Sequence, residues 1–183
     1  MTKAVGRLFE NRIVVWDVHA SRKLFKEGYF GKPLGIPKPK DFEFDAPLIL
    51  DLMEGYYLMK KKAISLESEG GERLTTKQIE DVCEKSYPDF TEKFIVYKKL
   101  RDAGYVVTPG IKFGSDFAVY EHGPGIDHAP YIVQVMSPHS TITATSMVRS
   151  GRLATTVRKQ FIVAISDPAK NSVDFLRYDW WRA

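Results

Sequence analysis

Three side chains in the second half of the chain bring together a phenol, an imidazole and an ammonium. They are Tyr120, His128 and Lys159, separated by 8 and 31 residues. Groups of these three types are what is needed to cleave RNA without a metal, because the reaction requires proton transfer and stabilisation of negative charge at phosphorus. The trio therefore indicates a metal-free site for phosphate chemistry.

Each of the three residues also has a structural explanation when it is taken alone. Tyr120 ends a strand-like pattern, where tyrosine is common. His128 follows a glycine-rich segment and precedes a new strand, a junction where functional side chains tend to lie. Lys159 comes where a helix ends, and a cation there can satisfy terminal carbonyls. The combination is what indicates a site.

The segment before Lys159 adds further positive charge. A helix is expected from about residue 142 to residue 158, and helical spacing places Arg149, Arg152, Thr156 and Lys159 along one face. A cationic stripe that leads to the lysine predicts a phosphate-binding surface.

Positive charge is concentrated toward the end of the chain. The 183 residues carry a net charge of +4, of which residues 1–88 contribute +1 and residues 89–183 contribute +3. From residue 129 onward there are seven basic and three acidic side chains. A polyanionic partner would be attracted to this half, although a solvated basic face would give the same composition.

Composition also narrows the class of protein. No apolar run reaches 18 residues and the first residues lack a signal-peptide core, which predicts a soluble cytoplasmic protein with no membrane partner. The single cysteine, Cys83, allows neither an intrachain disulfide nor a cysteine-type zinc site. Asparagine and glutamine are scarce, which suggests a thermophilic source.

The pattern of elements predicts two domains of mixed α/β or α+β type. Pro88 disfavours a helix at the residue before it, so we expect domains over residues 1–87 and 88–183. In the first domain we expect strands on either side of residues 10–12, helices over 19–27 and 45–60, a proline-rich connector over 31–40, a strand over 63–66 and a helix from residue 75. In the second we expect helices over 90–103 and 142–158, with strands over 105–108, 111–121, 131–136, 161–166 and 173–180.

Four sequence words in the second half carry a resemblance to a known family. They are YKKLRDAGY at 97–105, KFGSDFAVY at 112–120, HAPYIV at 128–133 and RKQFIVAI at 158–165. In this order they resemble the tRNA-splicing endonuclease family, and in particular its archaeal catalytic subunit. The resemblance is specific over residues 90–183, whereas residues 1–89 match only in size and layout.

The resemblance implies both a fold and an activity. The fold is a small mixed α/β N-terminal domain followed by a restriction-endonuclease-like α/β domain with a central mixed sheet. The activity is metal-independent and cofactor-free excision of introns from precursor tRNA at a bulge-helix-bulge, which leaves a 2′,3′-cyclic phosphate and a 5′-hydroxyl. Carried over by position, Tyr120 is the base, His128 the acid and Lys159 the electrostatic stabiliser.

Two points of chemistry qualify this assignment. Tyrosine has an ordinary pKa of about 10, so a base at Tyr120 requires the ammonium of Lys159 close enough to favour the phenolate. His122 lies two residues after Tyr120 and competes for the acid role. We prefer His128, because the family word places its histidine directly before the next strand.

The family also predicts RNA contacts. Members clamp an unpaired base between two arginines, and Arg152 fits the first position, with Arg149 on the same stripe. Arg177 in the last strand is our choice for the second. Lys38 and Lys40 in the connector could contact RNA, although a solvated linker explains them as well.

Assembly is the remaining expectation from the family. Its members form tetramers, with dimers through the C-terminal strands and an acidic loop docking into a neighbouring subunit. Residues 167–172 contain one acid and one lysine, which departs from an acidic loop. We therefore expect a heterotetramer with two copies of a noncatalytic paralogous subunit, with a homotetramer as the alternative.

Two other functions remain open at this point. The first is a noncatalytic RNA-binding or structural subunit of the same complex. The second is a metal-dependent nuclease of related fold, which would need a cluster of carboxylates; Asp116 is available but solitary.

Overall fold

The chain folds into two mixed α/β units. The computed structural model describes residues 3–37 and 39–178, and the chain divides into one unit that ends at Pro88 and one that begins at Asp89. Each unit contains a five-stranded sheet with parallel and antiparallel pairs. The predicted mixed α/β class is confirmed. Within the described ranges, no helix has the length and apolar character needed to cross a membrane.

In the first unit the strand order is β3-β4-β2-β1-β5. The elements are β1 Ala4–Phe9, β2 Arg12–Val15, α1 Val18–Gly28, β3 Lys32–Pro33, β4 Leu48–Asp51, α2 Leu52–Lys60, β5 Ile64–Glu67 and α3 Thr76–Ser86. The inward side chains of the strands are fully buried, as Ile13, Leu50 and Ile64 show. Burial of these alternating apolar residues is the main source of stability of the unit.

The predicted helix over 45–60 is wrong in its first part. Residues Leu48–Asp51 form strand β4, which pairs with β2, and helix α2 begins only at Leu52. A short apolar run such as Leu48-Ile49-Leu50 cannot be assigned to helix or strand from its periodicity. The start of the helix is set by Asp51, whose carboxylate accepts from the backbone N–H of Met53, while Glu54 accepts from the backbone N–H of Asp51.

In the second unit the strand order is β10-β9-β8-β7-β6. The elements are α4 Phe90–Asp102, β6 Val106–Pro109, a 3₁₀ turn Ile111–Phe113, β7 Phe117–Tyr120, β8 Tyr131–Met136, α5 Ala144–Thr156, β9 Gln160–Asp167 and β10 Ser172–Tyr178. Among the strands described in this unit, only β8 and β9 run parallel, and α5 forms the crossover between them.

Helices α4 and α5 cover opposite faces of this sheet. Tyr97 on α4 contacts the ring of Phe117, with 6.0 Å between ring centroids. Ala154 on α5 packs with Ile132 and Phe161. Because successive side chains of a strand alternate between faces, the α5 face also contains the residue that ends β7, Tyr120.

The predicted strand over 111–121 is shorter than expected. Residues Ile111–Phe113 form the 3₁₀ turn, which ends at Gly114 with a positive φ of 62°. The carboxylate of Asp116 then fixes the start of β7, because it accepts from the backbone N–H of Val135 at 2.7 Å and pairs with Lys93 at 3.1 Å. Asp116 therefore has a structural partner on α4 and another on β8.

Candidate active site

Tyr120 and Lys159 each lie one residue beyond a paired row of the second sheet, at the same end of its strands. Val119 pairs with Tyr131, and Tyr131 pairs with Gln160. If the same register is continued by one residue, Tyr120 at the end of β7 and Lys159 before β9 come to lie on either side of Pro130, which precedes β8. The Pro130 carbonyl accepts from the Gln160 N–H at 2.8 Å. Two strand spacings separate their Cα atoms by about 10 Å. Side chains in one row share a face, so both belong to the α5 face.

The ammonium of Lys159 is bound to the backbone that carries His128. Its Nζ donates to the carbonyl oxygens of His128 at 2.7 Å and Ala129 at 2.6 Å. It also lies 4.9 Å from the centroid of the Phe113 ring. Burial lowers the pKa of Lys159 below its ordinary value, and the negative charge of Asp127 partly opposes that shift.

The end of α5 delivers Lys159 to this place. The Lys159 N–H donates to the Ala154 carbonyl at 2.8 Å and the Arg158 N–H to the Thr155 carbonyl at 3.1 Å, while Arg158 adopts a left-handed conformation with φ 55°. This is the Schellman arrangement that commonly ends helices. The predicted helical stripe from Arg152 to Lys159 is therefore wrong, because the helix ends at Thr156 and the chain has reversed before Lys159.

The loop before His128 is closed by one carboxylate. Asp127 accepts from the backbone N–H groups of Glu121 at 2.8 Å, His122 at 3.3 Å and Gly123 at 2.9 Å. Burial alone would raise the pKa of Asp127, but the hydrogen bonds from these N–H groups outweigh it and hold the pKa below its usual value. The loop between β7 and β8 is thus tied to the residue that precedes His128.

Both histidines of this loop have exposed side chains. His122 is held through its backbone N–H by Asp127. His128 is held through its carbonyl by Lys159. The neighbouring Tyr131 hydroxyl donates to Glu121 at 2.8 Å, which raises the pKa of Tyr131. The structure links His128, and not His122, directly to the ammonium of Lys159.

Two of the predicted RNA-binding arginines line a cavity on α5. Arg149 and Arg152 are exposed, and with Ala144, Thr145 and Val148 they border an open depression of about 480 Å³ at the surface of the helix. Their spacing of three residues places both guanidinium groups on the same side of the helix. The cavity combines an apolar wall with two cations.

The other predicted RNA-binding residues lie elsewhere. Arg177 lies on β10 and pairs with Ile162 on β9. Because side chains of a strand alternate between the two faces of the sheet, this register places Arg177 on the α4 face. Its guanidinium donates to the Gln160 side chain at 3.4 Å. Arg152 and Arg177 thus belong to opposite faces of the sheet within one chain. Lys40 is exposed in the segment after β3, and Lys38 lies outside the described residues.

Sequence reasoning did not single out Asp127 as a residue that shapes the site. An available signal was its position at the end of Gly123-Pro124-Gly125-Ile126, since aspartate often closes a turn by accepting from backbone N–H groups. Across residues 3–37 and 39–178, no group of three or more His, Cys, Asp or Glu side chains is placed to hold a metal ion.

The mixed α/β fold and the residue types at this end of the sheet are those expected of an endonuclease, and comparisons with known proteins identify the family. Residues 90–175 match the family model for the catalytic C-terminal domain of tRNA intron endonuclease. Residues 4–80 match the model for its N-terminal domain. The chain belongs to the tRNA-splicing endonuclease family, as its sequence words indicated.

Full-length relatives support the same membership. A tRNA-splicing endonuclease of Hyperthermus butylicus is 46% identical over 92% of this chain and 93% of its own length. Proteins of the same name from Sulfurisphaera tokodaii and Pyrobaculum aerophilum are 38% and 39% identical, and each alignment covers at least 96% of both chains. The archaeal origin of these relatives agrees with the thermophilic source suggested by composition.

Proposed function

We propose that this chain is the catalytic subunit of a tRNA-splicing endonuclease, and that it cleaves precursor tRNA at a bulge-helix-bulge without a metal. The observation that carries the proposal is the joint placement of the trio. Support comes from Tyr120 at the end of β7 and Lys159 directly before β9, which lie at the same end of the sheet, and from the hydrogen bond of the Lys159 ammonium to the carbonyl of His128. All three positions of the trio carry the expected residue types, which favours the catalytic over the noncatalytic subunit.

The proposed reaction transfers two protons. The phenolate oxygen of Tyr120 takes the proton of the ribose 2′-hydroxyl at the scissile position. The 2′-oxygen then forms a bond to the adjacent phosphorus while the bond from phosphorus to the 5′-oxygen breaks. The imidazolium of His128 gives its proton to the departing 5′-oxygen. The products are a 2′,3′-cyclic phosphate and a 5′-hydroxyl, and the need for a 2′-hydroxyl restricts the substrate to RNA.

Lys159 is suited to stabilise the extra negative charge on phosphorus. An ammonium has three protons, and two of them are directed at the carbonyls of His128 and Ala129. Within the described part of the chain the third remains available to a phosphate oxygen. Because these carbonyls hold the group in place before substrate binds, little reorganisation accompanies the reaction.

The cavity on α5 is proposed to contact the RNA. Arg149 and Arg152 offer planar guanidinium groups that can stack on an unpaired base or bind phosphate. Arg177 lies on the other face of the sheet. A clamp formed by Arg152 and Arg177 of one chain therefore requires the bound RNA to reach around β10. Otherwise the second arginine of the clamp must come from another subunit. Lys38 and Lys40 remain proposed contacts from the connector.

Assembly is proposed to use strand β10, the edge of the second sheet. Phe175 and Leu176 are 39% and 43% exposed, on opposite faces of the strand. An exposed apolar edge strand is prone to pair with another chain. The loop before it cannot act as an acidic plug, because Asp167 is paired with Lys170 at 2.9 Å. We therefore propose a heterotetramer in which a paralogous subunit supplies the acidic loop.

Cleavage in the presence of a chelator tests the proposed reaction. A bulge-helix-bulge RNA should be cut at the same rate with and without EDTA, and the 5′ fragment should end in a 2′,3′-cyclic phosphate. A matched RNA with one 2′-deoxy nucleotide at the scissile position should remain intact. Loss of cleavage in EDTA would favour the metal-dependent alternative, and cleavage of the 2′-deoxy RNA would rule out attack by the 2′-oxygen.

A further inference from the structure

The first unit contains a basic groove that the proposed reaction does not use. It encloses about 420 Å³, and its lining includes four cations and two hydroxyls, from Lys3, Lys60, Lys62, Arg73, Ser65 and Thr76. Of the described residues that line it, none is acidic. We propose that this groove binds the sugar–phosphate backbone of the substrate RNA at nucleotides other than those of the scissile bond.

Two of the cations come from the end of helix α2. Lys60 is its last residue, and its Nζ lies 3.4 Å from the Tyr56 hydroxyl and 5.2 Å from the centroid of that ring. Lys62 follows in a left-handed conformation with φ 59°, and its N–H donates to the Met59 carbonyl at 2.9 Å. This reversal leads into β5, which contributes the half-buried Ser65 to the lining.

The other two cations come from separate parts of the chain. Lys3 precedes β1, and Arg73 lies just before α3. The backbone of Arg73 forms an isolated antiparallel β-bridge with the backbone of Glu67. Both side chains are exposed. The end of α2 carries negative partial charge, which explains Lys60 and Lys62 as helix-capping cations. It does not explain Lys3 and Arg73, and their convergence on the same groove is what points to an anionic ligand.

Three acidic side chains of neighbouring elements are engaged with other groups. Glu67 pairs with Arg7 at 3.6 Å. Glu80 accepts from the Tyr56 hydroxyl at 2.8 Å, and Asp81 pairs with Lys77 at 3.0 Å. These three acids therefore have partners other than the lining cations, and the described residues of the lining contribute positive charge alone.

The lining chemistry fits RNA phosphates. Lysine and arginine side chains neutralise phosphates, and serine and threonine hydroxyls donate to phosphate oxygens. The inference rests on the proposed function for the identity of the RNA, a precursor tRNA. Such contacts position the RNA without reading its sequence, and the tRNA body offers a continuous backbone outside the intron junctions. The groove would therefore add affinity for full-length precursor over a short bulged helix.

Salt-dependent binding tests the groove. In the variant Lys62→Asn/Arg73→Gln, asparagine tolerates the left-handed conformation and glutamine keeps most of the side-chain length. Each phosphate contact contributes about 0.7–0.9 to the slope of log Kd against log salt. The variant should bind precursor tRNA about tenfold more weakly at about 0.1 M salt, with the slope reduced by about 1 to 2. The control is Lys26→Gln/Lys85→Gln, which removes two exposed cations from helices of the same unit.

Distinct outcomes decide the inference. It is upheld if only the groove variant loses affinity, while its cleavage rate at saturating RNA and its binding of a short bulged helix match the wild type. Equal losses in the groove and control variants would show a net-charge effect and overturn it, as would an unchanged Kd. Loss of binding to an acidic protein segment with RNA binding intact would also overturn it. If the wild-type chain, assembled with the paralogous subunit, binds precursor tRNA but does not cleave it, the proposed function fails and the groove result stands separately.

Discussion

The ammonium of Lys159 has two roles, one as the cation proposed for the phosphate and one as a support for the backbone at His128. Both roles affect how variants of Lys159 are to be interpreted. Its hydrogen bonds to the carbonyls of His128 and Ala129 hold the backbone ahead of β8. Ala129 has a φ of 29°, a conformation that needs support from its surroundings. Truncation of Lys159 would remove a cation and also release His128, so a large effect on rate would not separate the two roles. Substitution of the histidines gives a cleaner comparison.

We expect His128→Ala to lower the single-turnover cleavage rate by about 10²–10⁴-fold, the usual contribution of a general acid. His122→Ala should remain within a few-fold of the wild type. The two histidines belong to one exposed loop, so each variant is the structural control for the other. Rates under saturating enzyme provide the measurement. Equal losses would leave the acid unassigned, and full activity of His128→Ala would remove it from the mechanism.

Asp127→Asn tests the closure of the same loop through pH. The pKa of Asp127 lies below its ordinary value in the folded protein. Its carboxylate therefore contributes stability that is present above about pH 4 and is lost as the pH falls through the lowered pKa. At pH 7 the variant should lose about 1 kcal/mol, or about 2–4 °C in Tm.

The loss in Tm should shrink when both proteins are measured near pH 3. Thermal unfolding followed by circular dichroism at the two pH values is the measurement, with the exposed Asp174→Asn as control. A difference that is the same at both pH values would show that the ionised carboxylate is not what closes the loop.

At the level of elements, the sequence predicted most helices and strands, and its errors have definite physical causes. The run Leu48-Ile49-Leu50 is compatible with a buried helix or a buried strand, and only its pairing with β2 decides between them. The capping pair Asp51 and Glu54 was a usable signal for the true helix start. The break in the predicted strand 111–121 depends on hydrogen bonds of Asp116 to distant residues, which no local pattern encodes.

The assignment of the candidate site stays a prediction, and the sequence supplied only part of it. The types and order of Tyr120, His128 and Lys159 were visible in the sequence words. Their joint placement depends on the register of three strands and on the reversal at Arg158, where the left-handed position is not occupied by glycine. Glycine is the usual marker of such a helix end, and without it the helix was extended as far as residue 158.

The edge strand β10 provides a prediction at this scale. Leu176→Asp places a charge on its exposed apolar side, which should disfavour pairing with another chain. Native mass spectrometry should then show a smaller assembly than the wild type. Asp174→Asn changes a neighbouring residue on the same face of the strand and should keep the wild-type mass. An unchanged mass for Leu176→Asp would exclude β10 as the interface strand.

For the whole molecule, the two units correspond to the two family models, and the chain aligns with its relatives over nearly their full length. The second unit carries the trio, whereas the first carries the basic groove. The loop over 167–172, with Asp167 paired to Lys170, lacks free negative charge for docking into another subunit. This is the feature that favours assembly with a different chain.

We expect the chain purified alone to cleave bulged RNA poorly or not at all. Co-expression with a noncatalytic paralogue should restore cleavage and give a native mass equal to two copies of each chain. The physical reason is that the acidic docking loop must then come from the partner. Full activity of the chain by itself, as a homotetramer, would defeat this proposal.

Tyr120→Phe tests the central claim most directly, because it removes one oxygen at the proposed base and leaves the ring and the strand unchanged. The measurement is the single-turnover cleavage rate of bulge-helix-bulge RNA in EDTA by the assembled enzyme, with Kd measured in parallel. We predict that wild type cleaves, and that the variant binds equally well but cleaves at least about 10²-fold more slowly. A variant rate equal to that of the wild type would contradict the assignment of catalysis to this site.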